Sequence, residues 1–227
     1  MTAFSDAYAD KQVGYFTGER AIIDGLSVDP TRSVLEIGCG DGATGAYAKQ
    51  VGKCGRYVGI ELVAAAAQIA SRVLDEVHTA NIETFEPPFV PGAFDVLIAS
   101  EVLEHLVDPW AVLRKLRPYL KPGAMIFASS PNVAHRSVLG MLLAGGWDLA
   151  PEGVMDRTHL RWFTPRTYAA MFTECGYDVL SVGPLARPSA KAKVFNALTG
   201  GKLAHLLFTQ IMLTARRPLE QDRPSIE

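Results

Sequence analysis

Three glycines at alternate positions, placed directly after a short apolar run, constrain this chain more than any other feature. Val34-Leu35-Glu36-Ile37 leads into Gly38-Cys39-Gly40-Asp41-Gly42, and a helical pattern begins at Ala43. A turn without Cβ atoms between a strand and a helix lets a bulky ligand lie against bare backbone. A second apolar run, Tyr57-Val58-Gly59-Ile60, ends in Glu61. That separation suits a carboxylate gripping a ribose in a nucleoside-binding α/β sheet. The two features together point to an adenosine-containing cofactor.

The rest of the chain repeats the same rhythm. Apolar runs at 33–37, 56–60, 76–80, 94–100 and 124–129 alternate with helix-period segments, and two more follow at 178–183 and 208–216. Several carry apolar residues on both faces, as in a parallel sheet covered by helices on both sides. Lys121-Pro122-Gly123 reads as a turn before a strand, and Thr164-Pro165 as an N-cap with proline in the first helical turn. Residues 1–227 are therefore expected to form one α/β domain. Within it, a segment of about 1–30 is expected to lid the cofactor cleft. A glycine- and histidine-containing insertion of about 130–163 is expected to hold the substrate site, because so long a connection is usually functional. Residues 184–205, broken by Pro184, Pro188 and Gly200-Gly201, read as irregular.

Composition narrows the partners. The net charge of −2 and pI near 6.2 carry no nucleic-acid signature. Residues 1–110 hold 7 basic and 16 acidic side chains and residues 111–227 hold 15 and 8, so the second half is the basic one. Cys39, Cys54 and Cys175 are odd in number and scattered, the pattern of reduced thiols in a cytoplasmic protein. No signal peptide or membrane span is apparent.

Which cofactor the loop takes is decided by its acidic neighbours. Gly38-x-Gly40-x-x-Ala43 formally fits a nicotinamide fingerprint. Glu36, however, stands where it would repel a pyrophosphate and could instead orient loop amides or an ammonium group. Gly42 extends the pattern to Glu-x-Gly-x-Gly-x-Gly, and no Tyr-x-x-x-Lys pair offers a proton relay for hydride chemistry. S-adenosylmethionine is the better fit.

VLEIGCGDG, YVGIEL, FDVLIASEVLEHLVDPWAVLRKLRPYLKPGA and FTQIMLTARR resemble the successive motifs of class I S-adenosylmethionine-dependent methyltransferases, in order along nearly the whole chain. GWDLAPEGVMDRTHLRWFTPRTY is similar to a bacterial small-molecule subgroup related to the ubiquinone-pathway O-methyltransferases. The resemblance implies a Rossmann-like, seven-stranded, mostly parallel sheet of order 3-2-1-4-5-7-6 with strand 7 antiparallel. It also implies that Glu36, Gly38, Cys39, Gly40 and Gly42 surround the methionine part of the cofactor. Glu61 would take the ribose hydroxyls, Leu62, Asn81 and Ile82 would meet adenine, and Ser100 and Glu101 would border the sulfonium. Tyr15 and Arg20 match positions in the N-terminal lid. The implied acceptor is a small molecule, sugar- or secondary-metabolite-like, and the product is S-adenosylhomocysteine.

Methyl transfer from a sulfonium is an in-line displacement in which the protein supplies alignment and a dry site. A hydroxyl acceptor must also lose a proton, for which histidine is the best-suited base. His159, in Asp156-Arg157-Thr158-His159, is the first choice, with Asp156 or Glu101 orienting it. His105, in Glu104-His105-Leu106, and His135 follow. Trp147, Trp162 and Phe163 could wall the acceptor pocket, and Arg136, Arg157 and Arg161 could bind an anionic group on the acceptor. No metal is expected, since no pair of histidines or carboxylates has ligand spacing on one element. An N-methyltransferase, which needs less help from a base, and a non-catalytic cofactor-binding protein are the rival readings.

Overall fold

The computed structural model describes residues 20–187 and 189–219. Tyr15 and the side chain of Arg20 lie outside the described residues. The chain alternates β1 (Ser33–Ile37), α1 (Ala43–Gln50), β2 (Arg56–Glu61), α2 (Ala64–Ala70), β3 (Glu76–Thr79) and β4 (Phe94–Ser100). It continues through α3 (Pro109–Leu116), β5 (Leu120–Pro131), α4 (Arg136–Leu143), α5 (Pro165–Glu174), β6 (Asp178–Pro184), α6 (Ala190–Leu198) and β7 (Gln210–Arg216). The seven strands form one sheet in the order β3-β2-β1-β4-β5-β7-β6. Pairing is parallel from β3 to β5, and β7 is antiparallel to both β5 and β6.

The uninterrupted apolar runs follow from burial on both sides. Successive strand residues face opposite sides, so Leu35, Ile37, Val58, Ile60 and Leu97 pack with Val112, Leu113 and Leu116 of α3 and with Tyr168, Met171 and Phe172 of α5. Their neighbours Val34, Tyr57, Val96 and Ile98 pack with Ala48 of α1, Ala70 of α2 and Ile22–Ile23. Asp108 caps α3 by accepting from Ala111 N at 2.9 Å. Thr164 and Thr167 form a reciprocal capping box on α5 ahead of Pro165. Among the described residues, no helix is long and apolar enough to cross a membrane.

Residues 20–23, the first described part of the segment expected to lid the cleft, form a 3₁₀ turn whose Ile22 and Ile23 are fully buried with Phe127. Two sequence expectations change. Lys121-Pro122-Gly123 does not precede β5 but belongs to it. The pairing with β4 shifts register there, so the proline and the positive-φ glycine sit in a bulge. The span 184–205, read as irregular, contains α6, capped by Ser189 Oγ accepting from Ala192 N at 3.2 Å. Flanking Pro184, Pro188 and Gly200 punctuated the segment so strongly that they masked a two-turn helix between them.

Gly55, just before β2, leaves no room for a side chain: an added Cβ would collide with the backbone oxygen of Pro30. Gly140, in the middle of α4, faces open space. Gly55→Ala is expected to lower stability by about 1–3 kcal/mol, and Gly140→Ala to raise it by about 0.5–1 kcal/mol. Denaturant melts of the two variants check this; equal effects would contradict the packing described for either position.

Candidate functional site

At the carboxyl ends of β1, β2 and β4 the sheet opens into a cavity of about 730 Å³, where ligands bind in open parallel sheets. Gly38, Gly40 and Gly42 have φ of 68°, 54° and 82°. Gly38 is tight against Val102, whose Cγ2 would lie 2.9 Å from an added Cβ. The glycine amides do not form an open nest. Gly38 N donates to Ile60 O at 2.8 Å and Gly42 N to Cys39 O at 2.9 Å. Gly40 N donates to Glu61 Oε2 at 2.9 Å. A pyrophosphate would find these donors taken.

The cavity is instead strongly acidic. Among the described residues, seven with carboxylates wall it and no lysine or arginine does. Glu36 is 2 % exposed, and its Oε2 accepts from Tyr57 Oη at 2.8 Å. Burial drives the Glu36 pKa up to about 8, against the Tyr57 hydrogen bond and with help from Glu61. Glu61 also accepts from Val63 N at 2.8 Å; burial raises its pKa while these amides oppose the shift. Both carboxylates want a positive partner.

Leu62, Asn81 and Ile82 line the cavity beside Glu61. Asn81 Oδ1 accepts from Glu83 N at 2.9 Å, an Asx turn that leaves one lone pair. Ser100 and Glu101 line it on the β4 side. Glu101 is the only non-glycine residue with positive φ, 50°, among those described, a strained conformation of the kind that gathers at functional sites.

The insertion closes the cavity from the far side. Leu160 N and Arg161 N both donate to Glu104 O, at 2.8 and 3.0 Å. This brings His159 onto His105, with ring centroids 4.8 Å apart at 64°. His105 Nδ1 faces Thr158 O at 3.2 Å and His159 Nδ1 faces Val154 O at 3.2 Å. A carbonyl only accepts, so each Nδ1 carries a proton, and the lone pair of the neutral form of each ring is on Nε2. One ligand atom from each of Glu104, His105 and His159 lies within 4.8 Å of the other two, and all three residues are buried. Glu104 Oε2 accepts from Ser130 Oγ at 3.2 Å, while its Oε1 is buried without a hydrogen-bond partner. Burial, and next the Glu101 carboxylate, push the Glu104 pKa well above the carboxylate range.

Other expected site residues are placed elsewhere. Cys39 is buried with its Sγ against Gly59, so only its neighbours face the cavity. Gly42 is the N-cap of α1, packed on Ala70 and Val73 rather than on the cavity. His135 caps α4, its Nδ1 accepting from Ser137 N at 3.3 Å, and does not reach the cavity. Trp147 and Trp162 pair edge-to-face with centroids 5.4 Å apart, Phe163 joins the core, and Arg136, Arg157 and Arg161 are absent from the cavity wall. Tyr57 was missed, because it read as part of an apolar run. Glu104 was visible beside His105 and on one helical face with Glu101, but a single dipeptide did not make a site without His159.

A family of methyltransferase domains matches residues 18–182, and the chain belongs to the class I S-adenosylmethionine-dependent methyltransferases. It is 31 % identical over 134 residues to a ubiquinone biosynthesis O-methyltransferase of Albidiferax ferrireducens, covering 55 % of this chain and 52 % of that one. It is 29 % identical over 159 residues to the protein of the same name from Pseudomonas aeruginosa, covering 66 % of each. The chain thus spans between half and two thirds of the length of these relatives. Among solved structures, an Archaeoglobus fulgidus SAM-dependent methyltransferase has a TM-score of 0.62 at 18 % identity, over 89 % of this chain and 96 % of that one. The [4+2]-cyclase SpnF has a TM-score of 0.60 at 19 % identity, over 87 % and 79 %. These two likenesses are of fold.

Because folded Glu36 has its pKa raised from 4.5 to about 8, its contribution to stability is complete below pH 4.5 and is lost as pH rises through 8. Glu36→Gln removes that loss. The melting temperature of the variant minus that of wild type is expected to grow by about 3 °C or more between pH 5 and pH 8.5. A difference that stays flat over this range would mean that Glu36 is not buried as described.

Proposed function

We propose that the chain binds S-adenosylmethionine in the acidic cavity and transfers its methyl group to a hydroxyl oxygen of a small molecule. The observation that carries this reading is a cavity whose described wall has seven carboxylate residues, no lysine or arginine, and glycine amides already used by the protein. Such a cavity suits a ligand carrying an ammonium and a sulfonium and rejects a dinucleotide pyrophosphate. Glu36 and the backbone at Gly38 and Gly40 would hold the methionine part, and Glu61 the ribose. Leu62, Asn81 and Ile82 would border adenine, while Ser100 and Glu101 would border the sulfonium. The likeness to relatives named as O-methyltransferases supports oxygen as the acceptor.

In this reading the protein's work at the reacting atoms is alignment and proton removal. His159 Nε2, with its lone pair set by the Nδ1 contact to Val154 O, takes the acceptor proton as the oxygen attacks the methyl carbon in line with the departing sulfur. His105 packs on the ring and holds it in place. The group stays a small-molecule site by virtue of the insertion, which covers it.

A second reading is favoured by one observation. Glu104, His105 and His159 form a compact, buried set of one oxygen and two nitrogen ligands, and a histidine whose Nδ1–H is held by a carbonyl is oriented as metal ligands usually are. The set fits a divalent cation, which would supply charge to stabilise a deprotonated acceptor oxygen. The histidines would then be ligands and not bases, and the expectation of a metal-free site would fall.

Calorimetry tests the cofactor: S-adenosylhomocysteine should bind and NADH should not, and the reverse result would overturn the methyltransferase reading. With a panel of phenolic acceptors, His159→Ala should lower kcat about a hundredfold and leave S-adenosylhomocysteine affinity unchanged. Wild-type turnover in the variant would remove His159 from the chemistry. Treatment with a chelator separates the two readings. An unaltered rate supports the base, whereas a loss restored by Mg²⁺ or Mn²⁺, with cation binding abolished in His159→Ala, supports the metal.

A further inference from the structure

The cavity does not end at the histidines. Thr209 and Gln210, where β7 begins, wall it and also wall a second cavity of about 350 Å³ beside α6. The junction is firmly held. Asn132, fully buried at the end of β5, donates from Nδ2 to His205 O at 2.7 Å and to Phe208 O at 2.8 Å, and its own N–H donates to Thr209 O at 2.7 Å.

The two cavities are electrical opposites. Against the carboxylates of the first, the second is walled by Arg187 and Lys193 and, among the described residues, by no acidic one. Neither cation forms an ion pair with a described residue. The remaining wall is largely apolar, with Pro184, Ala192, Leu207 and Phe208. Asn196 also faces it, and its Oδ1 is buried without a hydrogen-bond partner, a vacancy that a ligand hydroxyl or N–H would fill. Cations at an apolar pocket without counter-ions attract an anion, and the acidic cavity next door repels one. A molecule lying across both would therefore be oriented by charge alone.

We propose that the second cavity is the subsite for the distal end of an elongated acceptor: an apolar stem ending in a phosphate or carboxylate. Its nucleophilic end reaches the Glu104–His105–His159 cluster past Thr209 and Gln210. This assignment rests on the methyltransferase reading above and gives that reading a substrate class. It also gives a use to part of the positive charge of the second half of the chain.

The test is calorimetry on the protein saturated with S-adenosylhomocysteine, titrated with octyl phosphate, octanoate and octanol. At least one anionic probe is expected to bind about tenfold or more tighter than octanol, and comparison of the two anions tells phosphate from carboxylate. The double variant Arg187→Glu, Lys193→Glu should lose that preference and keep its affinity for S-adenosylhomocysteine. In wild type the preference should shrink severalfold between about 0.05 and 0.5 M NaCl. Octanol binding as tightly as both anions would overturn the proposal, and so would a preference that survives charge reversal or is indifferent to salt. Loss of S-adenosylhomocysteine binding in wild type, with the anion preference intact, would instead sink the methyltransferase reading and leave the subsite standing.

Discussion

Burying carboxylates in a cleft whose described wall supplies no lysine or arginine is the constraint on which the site depends. Glu61 resolves it by accepting from two main-chain amides, Gly40 N on the first loop and Val63 N after β2. In doing so it ties the glycine turn to the neighbouring strand and spends a donor that would otherwise bind an anion. Glu36 resolves it with the Tyr57 hydroxyl and a raised pKa. The remaining imbalance of charge is what a cationic ligand relieves, so the same desolvation that weakens the empty fold drives recognition.

The fold alone does not settle the chemistry. SpnF, a [4+2]-cyclase, shares the architecture at a TM-score of 0.60, and one scaffold hosting different reactions is common. What distinguishes this chain is local: the acidic lining, the histidine pair with fixed tautomers, and the basic annexe beyond Thr209. Each arises near the carboxyl ends of the parallel strands, whose central members are buried on both faces, leaving the strand ends for function.

Much of this was legible in the primary structure because it is written in local periodicities. Alternating apolar runs marked the strands, and the Glu-x-Gly-x-Gly-x-Gly signal with Glu61 marked one wall of the cavity. Less legible was anything that depends on where distant segments meet. His105 and His159 stack although the whole of β5 and α4 lies between them, and linear ligand spacing therefore missed their grouping with Glu104. His135 looked equivalent to His159 in sequence, since both sit in the same insertion. The difference is that His135 is spent on capping α4. Cys39 falls inside the glycine motif, but alternation along the turn points its sulfur into the core against Gly59. The helix α6 lay hidden between prolines and glycines, which mark ends without saying what stands between them.

The two amides that hang from Glu104 O carry a consequence for how such a protein can change. Leu160 and Arg161 suspend the far wall of the cavity from the very residue whose side chain enters the buried cluster. The shape of that wall and the geometry of the cluster therefore share one hinge pin. Transplanting a foreign wall between residues 150 and 163 would have to preserve that pair of N–H donors, whatever pocket shape it brought, or the histidines would drift apart with it.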